Sequence, residues 1–235
     1  MGHAPPVRRT PRKKLKIMEK DPVSEPLTLT EEILKILLAG YVDDQGIHIE
    51  TALSTLGALA GFATQMGLRQ ALIDTGKARE DEVFVIVEAL NGDLYYFGEF
   101  ANQPLLSTED NRLSVWALVA GGAQTAGATV LPDLHQIVTA AADQCGTDQF
   151  FIPDLPTAHM PKVMPLTGLR DTWPGFRTLL DERHADPLHW GLLFAQAAQN
   201  LIIQGKDVLE PQISAKIVME SAIRMAKISP RKVQG

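Results

Sequence analysis

The sequence predicts a mainly α-helical α+β fold: six or seven helices, one β-hairpin over about 83–100 and a long proline-rich irregular arm over about 147–172. Three observations predict it. Apolar residues recur at helical spacing along most of the chain, the mark of helices that each bury one face. One stretch changes period, with β-branched and aromatic runs on either side of Asn91-Gly92. Asn-Gly between such runs is the strongest short hairpin signal, because both turn residues take positive φ. Finally, Pro153, Pro156, Pro161 and Pro165 fall within 13 residues. Each disfavours helix for itself and for the residue before it.

The elements follow in order. A first helix is expected over 28–40, where Thr28 and Glu31 fit a capping box and Gly40 a stop; Ile33, Leu34, Leu37 and Leu38 form its stripe. Asp43-Asp44-Gln45-Gly46 reads as a turn. Its acidic pair opens like a calcium loop, but Ile47 and Ile49 occupy later ligand positions and no glutamate stands at the twelfth. A long helix is expected over 48–73, with Gly57 and Gly61 on one face. Glycine costs about 1 kcal/mol against alanine inside a helix, so two of them point to another backbone at close range. The hairpin joins Val83-Phe84-Val85-Ile86-Val87 to the run Leu94–Phe100. An isolated hairpin is only marginally stable, so it must pack on helices or pair its edge with a second chain.

Further on, Ser107 opens a helix over 107–126 and Pro132 one to about 143, with Cys145 continuing the inward stripe as a small hydrophobe. The arm over 147–172 carries Phe150, Phe151, Ile152, Met160 and Val163, too apolar for a free linker, and reads as a lid over a groove. A short helix is expected at about 174–183, another over 187–204 capped by Asp186-Pro187, and a last one over 211–227 stopped by Pro230.

Charge divides the chain. Residues 1–20 hold seven Lys/Arg and one acid, leaving 15 bases against 27 acids in the rest of a chain whose net charge is −6. Residues 1–26 read as a basic, proline-rich tail and 27–235 as a single mainly helical domain. The tail suits docking on its own acidic body or an acidic partner. It has no interleaved aromatics to stack bases, and no helix of the body is base-rich on one face, so nucleic acid is not the expected partner. One cysteine excludes an internal disulfide scaffold. The most apolar stretch, Leu53–Leu68, is 16 residues, short of the roughly 20 a membrane span needs. A cytoplasmic protein is expected.

Catalytic motifs are sparse. His48-Ile49-Glu50 matches half of a zinc-deaminase signature, but a lone Cys145 cannot supply the P-C-x-x-C half. Gly121-Gly122-Ala123-Gln124 fits neither phosphate-loop pattern. The one polar cluster is Asp181–Trp190, with two of the six histidines and three carboxylates in ten residues. His184, Asp186 and His189 are ligand types that a divalent metal accepts. Against that, Asp186 is explained as a helix cap. The expected function is a self-associating interaction or regulatory module, a homo-oligomer with no cofactor. The alternative is a metal-dependent or small-molecule enzyme using His184, Asp186 and His189 in a groove under the arm.

Overall fold

Thr28 caps α1 (Leu29–Tyr41) as the sequence predicts: Glu31 N donates to Thr28 Oγ1 at 3.3 Å, and Thr28 N donates to the Glu31 carboxylate at 2.9 Å. The computed structural model describes residues 28–109 and 112–234, and the basic tail expected over 1–26 lies outside them. A two-residue strand pair, β1 (Val42–Asp43) and β2 (Gly46–Ile47), frames the acidic turn and leads into α2 (Ile49–Leu68). A π-helical turn, Arg69–Ile73, continues α2 to the end expected for it. Then come α3 (Glu80–Val83), the hairpin strands β3 (Val85–Glu88) and β4 (Leu94–Phe97), and α4 (Glu99–Leu106). The remaining helices are α5 (Val115–Thr125), α6 (Leu134–Asp143), α7 (Pro165–Glu182), α8 (Trp190–Gln204), α9 (Pro211–Met225) and α10 (Arg231–Gln234).

The class is mainly helical, with 65% helix and 6% strand, but the described residues form ten helices rather than six or seven. The short helices α3, α4 and α10 are the additions, and three boundaries differ from expectation. Gly98, at φ +127°, ends β4, and Glu99 starts α4 where the strand run was expected to reach Phe100. Ser107 closes α4 instead of opening α5; its carbonyl accepts from the Ser114 hydroxyl at 2.7 Å, and Ser114 is the residue that caps α5. The arm is shorter than expected. Pro165 takes the first turn of α7, where its missing N–H is no loss, and α7 then runs 18 residues straight through Pro174. Leu169, Trp173, Phe176 and Leu180 are buried on one stripe across that proline. The burial of this stripe holds a helix that loses one backbone bond at Pro174. Between α6 and α7 the irregular segment keeps only two 3-10 turns, Asp148–Phe151 and Thr157–His159.

The core is built around α2. Every residue of it except Glu50 is buried, which requires neighbours on all sides. α9, α8, α7 and α4 supply them. Against α9 the two glycines do what their spacing suggests. A Cβ on Gly57 would lie 2.3 Å from the Val218 carbonyl oxygen, and one on Gly61 1.9 Å from that of Ala222. The Ser54 and Ser221 hydroxyls meet at 3.0 Å in the same seam. The close approach is therefore within one chain. At the far side of α9, Arg224 and Glu220 form a fully buried pair at 2.9 Å. Gln144 Oε1 takes a further Arg224 N–H at 2.7 Å, and Asp154 N donates to Glu220 at 3.2 Å. Those extra bonds are what make a buried ion pair tolerable, since desolvation alone outweighs much of its attraction.

Candidate functional site

The hairpin is as the sequence predicts. Gly92 takes φ +82°, Ala89 N donates to the Asp93 carbonyl at 2.8 Å, and Val85, Ile86, Val87 and Glu88 face Phe97, Tyr96, Tyr95 and Leu94. Its two edges differ. On the β4 side, Tyr96 N donates to the Lys227 carbonyl at 2.8 Å, and Tyr95 bridges to Ile228. Gln65 Nε2 reaches the same segment from α2, donating to Ala226 O at 3.0 Å and Ile228 O at 3.1 Å. The chain thus covers that edge itself.

Among the described residues the β3 side is open. Because Tyr96 turns its N–H toward Lys227, the Ile86–Tyr96 pair is a non-hydrogen-bonded one. The backbone groups of Ile86 therefore point away from β4, and those of Glu88 do the same by the period of two. Around them Val85 is 62% exposed, Val87 43%, Ile86 39% and Leu90 fully. The other strand is the buried one: Tyr95 stacks edge-on to Phe150, and its hydroxyl accepts Gly146 N at 3.0 Å. Tyr96 packs edge-on to Phe84, with the Arg69 guanidinium 4.9 Å from the Phe84 ring centre and 4.4 Å from that of Tyr96. A rigid, anchored strand thus presents an unpaired apolar neighbour to solvent.

The His/Asp junction has a different outcome. His184 takes φ +50° just past α7, the one non-glycine in the left-handed region among the described residues. Ala185 N donates back to Leu180 O at 3.0 Å. This is a Schellman-type helix end with histidine where glycine is usual. Asp186 caps Leu188 N at 3.0 Å and lies 3.3 Å from His189 Nδ1. So Asp186 and His189 meet. Among the described residues, however, no group of three or more His, Cys, Asp or Glu side chains is arranged to hold a metal ion. Nor does the junction lie beneath the arm. His189 lines a shallow groove of about 400 Å³ with Pro104, Arg112 and Leu113. The arm sits at the other end of α2, where Lys162 N donates to Thr51 Oγ1 at 2.9 Å and His159 Nδ1 lies 3.6 Å from Glu50. Pro187 O packs on Gly67 at the C-terminal end of the same helix, a separation of roughly 25 Å at 1.5 Å per residue.

One buried group, Lys227, escaped the sequence reading, and it lies near Cys145, which the sequence places inward. Lys227, only 4% exposed, places its ammonium 4.8 Å from the Phe97 ring centre and makes no ion pair with a described residue. Burial pulls its pKa down to about 8, with the nearby Cys145 acting the other way. Cys145 is half-buried, its thiol 3.4 Å from Ala141 O, and burial holds its pKa up despite Lys227 and Arg224. That is the opposite of what an activated thiol needs. Among the described residues no helix is long and apolar enough to cross a membrane. No family model, curated protein or solved structure matches the chain, so its own geometry carries the functional reading.

Proposed function

We propose that the chain is an interaction or regulatory module that associates with a second copy of itself through β3. The observation that carries this is the asymmetry of the hairpin: β4 is paired on both sides, while β3 offers outward backbone groups among four exposed apolar side chains. An unpaired strand edge is a template for another strand. Two-fold symmetry suits it, because an antiparallel β3–β3 contact is self-complementary. Centred on Val87, the pairing sets Ile86 opposite Glu88 of the second copy and turns two hairpins into one four-stranded sheet. It also sets Val87 beside its own copy, which reduces the exposure of both.

The test is light scattering on the full chain across a concentration series. A dimer is expected. Ile86→Pro removes an N–H that the hairpin does not use, so the variant should keep its helical circular dichroism while the dimer dissociation constant rises at least tenfold. A wild-type monomer at every concentration, or an Ile86→Pro dimer as tight as wild type, would overturn the reading.

A further inference from the structure

A second surface feature is independent of the sheet edge. α1 and α7 diverge to leave a groove of about 480 Å³, within the 300–1,000 Å³ range of small-molecule sites. Its walls are Ile36 and Leu37 from α1, and Phe176 and Leu179 from α7. Two glycines open it. A Cβ built on Gly40 or Gly175 meets nothing within 4 Å, so neither serves close packing and each leaves the groove wider than any other residue would.

The polar atoms there share one character. Asp171 is exposed at the rim and makes no ion pair with a described residue. The basic residues of its own helix are engaged elsewhere: Arg170 donates to Lys232 O at 2.6 Å, Arg177 pairs with Asp181 at 2.9 Å, and Arg183 pairs with Glu32 at 2.8 Å. Thr172 gives its hydroxyl proton to Gly168 O at 2.6 Å, leaving only lone pairs to offer. The Tyr41 hydroxyl is shared with Thr55 Oγ1 at 2.9 Å. Burial pushes the Tyr41 phenol up, and the Asp171 carboxylate adds to that push, so the two groups sense each other. Among the described residues no lysine or arginine lines the groove.

We infer that the α1–α7 groove binds a small organic cation, with an ammonium or guanidinium head on Asp171 and Thr172 and an aliphatic body against Ile36 and Leu179. A carboxylate and a hydroxyl oxygen whose proton is spent select a donor. The apolar walls select a hydrocarbon next to it. An anion meets Asp171 as a like charge, and a neutral alcohol forgoes the charge-assisted bond.

The experiment is titration calorimetry of the full chain with n-hexylammonium, n-hexanol and n-hexanoate. Hexylammonium is expected to bind one to one, at least tenfold tighter than hexanol, with no detectable heat from hexanoate. Asp171→Asn should weaken hexylammonium at least tenfold and leave hexanol unchanged. Gly175→Leu, at an exposed helix position with open space above it, should keep the melting temperature and abolish both. Equal affinity for the amine and the alcohol, no effect of Asp171→Asn, or binding that survives Gly175→Leu would each overturn the proposal. So would the absence of hexylammonium binding.

Discussion

Two pairs of helical glycines sit in this chain under opposite conditions. Gly57 and Gly61, in the α2–α9 seam, would put a Cβ within 2.3 Å of another helix's backbone. Gly40 and Gly175, in the α1–α7 groove, would put one into empty space. The residue type and its intrinsic helix cost are the same. In the first seam that cost is offset by backbone contact and by the Ser54–Ser221 bond. In the second no atom of the described residues lies within 4 Å of that Cβ to offset it. The second pair therefore leaves an opening, and that opening is what the proposed ligand would use.

The largest test of that contrast is Gly61→Ala. The new methyl would overlap the Ala222 carbonyl, a backbone atom that cannot swing aside, and overpacking of this kind costs about 3 kcal/mol. Chemical denaturation should show a loss of that size with an unchanged m-value. A loss under 1 kcal/mol would mean the seam yields, and the contrast would fail.

Lys227, just past the end of α9, gives a medium effect. Its folded pKa of about 8 lies below the ordinary lysine value of 10.5, so between these values the unfolded chain holds more protons. Stability then rises with pH, by about 2 kcal/mol from pH 8 to 10, and the gain is lost as pH falls through 8. Tyr41 and Tyr95, whose pKa values burial raises, act in the reverse sense at higher pH. The measurement is therefore a difference: Lys227→Met should abolish the rise over pH 8–10 in denaturant melts. A parallel rise in both proteins would assign it elsewhere.

The smallest effect is Gly175→Ala. With no atom within 4 Å, alanine gains helix propensity at no steric cost. It should stabilise by about 0.5–1 kcal/mol in thermal melts. Destabilisation would show that the glycine serves packing after all.

The hairpin, the α1 cap and the tight glycine face were legible because each rests on local chemistry: Asn91-Gly92, the Thr28–Glu31 box, and a four-residue spacing. The extent of α7 was not. Pro174 reads as a helix start only if the Leu169–Trp173–Phe176–Leu180 stripe is cut there, and tertiary burial kept it whole. That error left Asp171 in the irregular arm instead of on a helix beside a groove. The sequence could have shown it, since the stripe continues at helical spacing through the proline. The open edge of β3 was half legible. A hairpin needs neighbours, but nothing local says that Lys227 would cover one side and leave the other.

The distance along the chain between β4 and its cover has a consequence for synthesis. Tyr96 and Lys227 are about 130 residues apart, and ribosomes add roughly 5–20 residues per second, whereas a hairpin closes in microseconds. The nascent hairpin therefore spends on the order of ten seconds with both edges bare before Ala226–Ile228 is made. Until then β4 lacks its bond to Lys227, and the hairpin stays the marginally stable element that two strands alone make.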